Sequence, residues 1–297
     1  MTRSTRDRAG VEKRAPDPSR KPFGSTGVEV SAIGQGTWQL RDPRRAEEAL
    51  RAGLEAGLDH IDTAELYVGS EAVIAKALAG RPRDDVFLVS KVLPKNATRR
   101  GTIKACDASL ERLATDHVDV YLLHWWDGDK PLAPVFEAFA ELIDDGKTRF
   151  VGVSNFDVEE LERAQEVLPS GVKLVCNQVL YHLGDRAIEN EVLPWCERHD
   201  MAVVGYSPFG SARGRWPPGG RAGAETLEAV AAKHGKTPRQ VALNFLTRRP
   251  SLFAIPKAEN PEHVRENAGA LGWTLDAEDV AAIDAAFPVR RGGLGFL

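Results

Sequence analysis

From about Phe23 onward two hydrophobic patterns take turns along the chain. Short, nearly continuous apolar runs cover Ser31–Gly36, Ile61–Thr63, Val86–Lys91, Val118–His124, Phe150–Val153, Leu174–Gln178, Ala202–Tyr206 and Leu252–Ile255, and read as strands. Between them, apolar positions recur every three or four residues over Pro43–Ala56, Ser70–Ala79, Thr102–Leu113, Ala133–Asp144, Val158–Leu168 and Ala187–His199, the spacing of helices with one buried face. Further helices flank the last strand. Asp42 before Pro43 is a start signal and Gly146 a stop signal. Eight strand-then-helix units is the count of a closed (β/α)8 TIM barrel, an α/β fold. Two additions are expected. A turn at Gly24–Gly27 joins two short strands into an N-terminal hairpin, and an extra C-terminal helix after Asp276 carries Val280, Ile283 and Phe287 on one face.

Composition narrows the class of protein. The 297 residues are 42% hydrophobic and 28% charged, enough for one barrel domain of the usual ~250 residues. A net charge of −4 argues against nucleic acid as a partner, and no apolar run approaches the ~20 residues of a membrane helix. Cys106, Cys176 and Cys196 have no metal-ligand spacing, so no metal is expected and they read as reduced thiols of a cytoplasmic protein. Residues 1–20 are polar and Arg-rich with no apolar middle, and read as a flexible tail ahead of a single domain over 21–297. The Gly-, Pro- and Arg-rich stretch Gly210–Gly223 is too long for an ordinary loop and is expected to overhang the barrel mouth, and Arg290–Leu297 has no clear structure.

In a closed parallel barrel all strand C-termini open on one face, where the βα loops build the site. Asp62 ends the second strand, with Tyr67 five residues on; Lys91 ends the third and His124 the fourth. Each has an ordinary reading: a helix cap, a packed aromatic, a solvated charge, a core imidazole. Their joint arrangement at equivalent positions is hard to produce by packing alone. Other strand ends bring Gly36-Thr37-Trp38, Ser154-Asn155, Gln178, Tyr206-Ser207-Pro208-Phe209 and Ile255-Pro256-Lys257 to the same face. The amides at 155 and 178 suit a carboxamide, Tyr206 offers a stacking face, and Lys257 with the helix start beyond it offers a phosphate site. Asn155 reads equally as the cap of the helix at Val158. Together these groups outline a long ligand with a ring, a carboxamide and phosphates.

The motifs Asp62-Thr63-Ala64 with Tyr67, Ser90-Lys91, Leu123-His124-Trp125, Gly152-Val153-Ser154-Asn155-Phe156, Asn177-Gln178 and Tyr206-Ser207-Pro208 resemble those of aldo-keto reductases, over about Phe23 to Phe287. The resemblance implies an NADPH-dependent oxidoreductase that reduces aldehyde and ketone carbonyls, binding an extended dinucleotide without a Rossmann fold. It implies Asp62, Tyr67, Lys91 and His124 as the catalytic tetrad. Ser154, Asn155 and Gln178 would hold the carboxamide, and Tyr206 would stack on the nicotinamide. Gly36, Thr37, Trp38, Ser207, Phe209, Ile255, Lys257, His263, Glu266 and Asn267 complete the expected cofactor contacts, while Trp38, Trp125 and Trp126 shape the substrate pocket. A small-molecule carbonyl is the expected partner and the monomer the expected state.

A carbonyl that accepts a hydride needs a proton, and free Tyr at a pKa of ~10 is a weak acid for that task. An ammonium at Lys91, held by Asp62, is expected to lower the value, with His124 orienting the substrate oxygen. Trp126 replaces a common Pro. At the adenosine end, Ala258 lacks a hydroxyl and His263 stands where Arg is usual, so NADPH is expected to be preferred only modestly, with NADH usable and the preference growing as pH falls and His263 gains a proton. Two other readings compete: a cofactor-binding regulatory subunit with low turnover, and a barrel hydrolase or isomerase using Asp62 and His124.

Overall fold

The computed structural model describes residues 19–128, 130–210, 216–290 and 292–295, and it opens with the hairpin. β1 (Arg20–Pro22) runs antiparallel to β2 (Glu29–Ser31). Arg20 is therefore in the hairpin and not in a tail; the rest of the expected tail, up to residue 18, lies outside the described residues. Phe23, in the turn, is fully buried, its ring centroid 4.7 Å from that of Phe87 and 5.0 Å from that of Phe253. The hairpin thus plugs one end of the barrel. Gly24 makes the approach possible: it has φ +53°, and a Cβ there would lie 2.3 Å from the Val175 carbonyl oxygen.

Eight strands follow: β3 (Gln35–Gly36), β4 (His60–Asp62), β5 (Phe87–Val92), β6 (Val118–Leu123), β7 (Thr148–Ser154), β8 (Leu174–Leu180), β9 (Ala202–Tyr206) and β10 (Leu252–Ala254). They pair parallel in chain order, and bridges Ile33↔Ala254 and Gly36↔Lys257 join the last to the first. The first strand is shorter than expected because Ser31 pairs with Arg20 in the hairpin instead.

The helices are α1 (Pro43–Glu55), α2 (Ser70–Leu78), α3 (Arg99–Leu113), α4 (Ala133–Asp144), α5 (Val158–Val167), α6 (Val192–Arg198), α7 (Gly220–His234), α8 (Pro238–Leu246), α9 (Pro261–Ala268) and α10 (Ala277–Ala286). Asp42 caps α1 as expected, accepting from the Arg44 and Arg45 amides. Thr98 caps α3, which starts three residues before the expected Thr102. The helix expected over Ala187–His199 breaks into a 3-10 turn (Ala187–Glu189) and α6, which places Pro194 in a first turn, where its missing N–H costs nothing. The stretch expected to overhang the mouth contributes Gly220–Gly223 to α7, and its residues 211–215 lie outside the described ones. α10 buries Ile283, with Phe287 buried at its end.

Strand alternation separates two cores. Outward residues such as Leu88, Val92, Tyr121, Leu123, Val151 and Val179 pack under the helices. Inward residues Phe87, Val89, Val120, Leu122, Cys176, Ala202, Val204, Phe253 and Ile255 fill the barrel above Phe23. Among the described residues no helix is long and apolar enough to cross a membrane.

Candidate active site

Each strand-end candidate is the next inward position beyond the apolar filling of the barrel. On β5 the sequence Phe87, Val89, Lys91 steps inward; beyond β6 it runs Val120, Leu122, His124; on β8, Cys176, Gln178; on β9, Ala202, Val204, Tyr206. The same two-residue period that fills the core therefore delivers polar groups to its open end. Asp62, Tyr67, His124, Gln178, Tyr206 and Lys257 line one cleft there, together with Gly36, Thr37, Trp38, Trp125, Ser154, Asn155, Ser207 and Ile255. Its volume of about 220 Å³ is small beside the ~300–1,000 Å³ usual for ligand clefts.

Lys91 is fully buried, in contact with Asp62 and Tyr67 of the cleft lining. Its Nζ donates to Asp62 Oδ1 at 2.6 Å and to the Thr63 carbonyl at 2.8 Å, and lies 3.5 Å from the Tyr67 hydroxyl. The second Asp62 oxygen accepts from Gln178 Nε2 at 2.7 Å. The Tyr67 and His124 rings meet edge to face, centroids 5.7 Å apart. The loop bearing Tyr67 is fixed by Glu65, whose carboxylate accepts from the Leu93 amide and from Asn96 Nδ2. Thr37 Oγ1 donates to the Asp62 carbonyl, and Ser70 Oγ to that of Thr37.

Burial works against the Lys91 charge, but Asp62 and Tyr67 outweigh it, and its pKa is raised. Burial likewise raises the Asp62 carboxyl, with Lys91 and Gln178 pulling the other way. For Tyr67 the expected direction is reversed. Burial raises the phenol above its ordinary value, Lys91 lowers it by less, and the net pKa is up. The phenol is thus held in its protonated form at neutral pH. Burial, and then Lys91, push His124 down to about 3, so its imidazole is neutral, and its Nδ1 has no partner among the described residues.

Amides line the opposite wall. Asn155 Nδ2 donates to the His124 carbonyl at 3.0 Å and to Ser154 Oγ at 3.1 Å, and its Oδ1 accepts from the Tyr206 hydroxyl at 2.8 Å. It does not cap α5; Asp157 does, through a capping box with Glu160. Asn155 and Ser207 hold left-handed backbone angles, φ +62° and +51°, an unfavourable geometry for residues with a Cβ that concentrates at binding sites.

Several of the expected residues lie outside this cleft. Trp126 turns away from the cleft: it packs on the outer core, its Nε1 donates to the Lys130 carbonyl, and the Arg163 guanidinium lies over its ring. Phe209 is packed against Trp216 and the Arg239 guanidinium. On α9, His263 is exposed, Glu266 accepts from Thr237 Oγ1 at 2.8 Å, and Asn267 is buried, none of them lining the cleft. Two residues were missed. Leu66 lines the cleft while 43% exposed, an apolar side chain in a polar loop beside Tyr67. Glu259, two positions beyond Lys257, pairs with it at 2.7 Å.

The described residues hold no cluster of His, Cys, Asp or Glu fit for a metal ion. The cleft does offer a ring face and amides: Tyr206 lines it beside Asn155 and Gln178, and the Gln178 amide nitrogen is turned to Asp62.

Comparison with known proteins places this geometry. The model of the aldo/keto reductase family matches residues 32–287. A methylglyoxal reductase of Escherichia coli is 44% identical over 271 residues, spanning 89% of this chain and 94% of that protein. A glyoxal reductase of Bacillus subtilis is 33% identical over 269 residues, spanning 90% and 92%. A crystal structure of an aldo-keto reductase from Klebsiella pneumoniae in complex with NADPH superposes with a TM-score of 0.86 at 39% identity, covering 94% of this chain and 99% of that one.

Proposed function

The chain belongs to the aldo/keto reductase family, and from that premise we propose that it reduces small 2-oxoaldehydes with NADPH, Tyr67 delivering the proton. The observation that carries the chemistry is the buried Lys91–Asp62 pair, with the Tyr67 hydroxyl 3.5 Å from the Lys91 ammonium on the wall of the cleft. The relatives named for methylglyoxal and glyoxal, both small dicarbonyls, support the substrate class.

The bound dinucleotide supplies the hydride, and this chain's residues do the rest. Gln178, Asn155 and Ser154 would hold the carboxamide, Tyr206 would offer its ring to the nicotinamide, and Lys257 would meet phosphate. His124, neutral, donates a hydrogen bond to the substrate oxygen and sets its direction toward Tyr67. The protonated phenol then gives its proton to the oxygen as negative charge develops there, and Lys91 stabilises the phenolate left behind. Asp62 holds Lys91 in place and balances its charge.

That assignment leaves no room for the hydrolase reading, because both Asp62 oxygens are already taken, by Lys91 and Gln178. Nothing supports a regulatory subunit of low turnover, since all four groups of the tetrad converge. We place the enzyme in the cytoplasm, a reading supported by three free, buried cysteines whose thiols burial pushes up; we take it as a monomer, which sedimentation of the purified protein checks. The activity is tested by following NADPH oxidation with methylglyoxal and with a simple aldehyde of similar size. The dicarbonyl should give the higher kcat/KM; a protein that turns over neither is not this reductase.

A further inference from the structure

Lys257 is the cation expected to meet the dinucleotide's phosphate, and it is already paired. Its Nζ lies 2.7 Å from Glu259 Oε1, and the same carboxylate oxygen accepts from the Arg41 backbone N–H at 2.7 Å. Asp42's backbone also bonds this carboxylate. Asp42 caps the thirteen-residue helix α1, so the carboxylate sits against an amide-rich helix start as well as an ammonium. An ammonium with converging backbone N–H groups is the donor set that a phosphate oxygen would use. The Glu259 side chain is 18% exposed and that of Lys257 34%, so the carboxylate is the more enclosed partner. Lys257 also bridges to Gly36, and Gly36 and Lys257 both line the cleft, which puts this arrangement at the cleft's edge.

We propose that Glu259 is an internal competitor for the phosphate site. Its carboxylate holds Lys257 in the dinucleotide-free protein and must be displaced, or endure a second anion, when a 2′-phosphate arrives. A ribose with a free 2′-hydroxyl carries no such charge and can donate to the same carboxylate. Glu259 therefore narrows the gap between NADPH and NADH, independently of the Ala258 and His263 replacements. This rests on Lys257 as the 2′-phosphate contact, and two variants separate the claims.

The experiment is calorimetric titration of the intact protein with adenosine 2′,5′-bisphosphate, NADP+ and NAD+, read as Kd. Glu259→Gln keeps an oxygen for the Arg41 N–H and removes the charge. It should tighten the two 2′-phosphorylated ligands about tenfold and leave NAD+ within about twofold. Lys257→Met should weaken the same two ligands, and in the double variant the gain from Glu259→Gln should shrink to what relief of direct anion–anion repulsion supplies. If Lys257→Met weakens them and Glu259→Gln leaves them unchanged or weaker, the competitor role of Glu259 is wrong. If Lys257→Met has no effect on NADP+, the phosphate assignment itself falls and the proposal with it.

Discussion

Two influences pull the acidity of the Tyr67 hydroxyl in opposite directions. Burial makes the phenolate costly and raises the pKa; the Lys91 ammonium lowers it by less. Reduction needs the phenol protonated, so the rate is fully present below the Tyr67 pKa and falls as pH rises through it. Replacing Lys91 by Met removes the lowering influence, so the alkaline limb of kcat/KM should move to still higher pH while kcat drops. The same change strands Asp62 as a buried charge and should cost about 3–5 kcal/mol of stability by denaturant unfolding. An unchanged pH profile would show that Lys91 is uncoupled from the acid. The placing of Asp62, Lys91 and His124 was legible from the chain, because each closes an apolar run; Tyr67, five residues past Asp62 in a loop, follows no such offset. The net direction of the Tyr67 shift was not legible, since it depends on how deeply the ring is buried, which no spacing reports.

At the scale of elements, the two-residue period on β5 and β8, continued past the end of β6, carries both core and site, which is why strand reading led to the cleft. Val89 and Leu122 inward imply Lys91 and His124 inward. Where the backbone leaves regular structure, that inference stops. Trp125 and Trp126 are neighbours in the loop after β6, yet one lines the cleft and the other packs outside it beneath Arg163. Their substitution should therefore separate cleanly. Trp125→Ala should raise KM for the carbonyl with little loss of stability, whereas Trp126→Ala should lower the unfolding midpoint by the equivalent of about 2–4 kcal/mol with KM near normal. Steady-state kinetics beside denaturant titrations decide it; a KM effect from Trp126 alone would return that indole to the pocket. The Glu259 pairing was likewise hidden, because it depends on how the turn between β10 and α9 meets the start of α1.

For the molecule as a whole, acid stability follows from two buried imidazoles. His60, fully buried between Phe23 and Phe87 with neither ring nitrogen partnered among the described residues, is lowered to about 3 by burial and then by Lys91, as His124 is. A group depressed on folding adds stability that is present above its unfolded pKa, near 6.5, and is lost as pH falls toward 3. At pH 5 each costs about 2 kcal/mol relative to neutral pH, from ~1.4 kcal/mol per pKa unit. Unfolding free energies at pH 7 and pH 5 should show that loss, and His60→Leu should remove about 2 kcal/mol of it; an equally steep variant would clear His60 of the effect. The central claim, that this barrel reduces carbonyls through Tyr67, is tested most directly by one comparison. NADPH oxidation with methylglyoxal is followed for the native protein and for Tyr67→Phe, with dinucleotide Kd measured on both. The account predicts a kcat lower by about 10²–10⁴-fold in the variant and a Kd within about twofold. Near-normal turnover by Tyr67→Phe would contradict it.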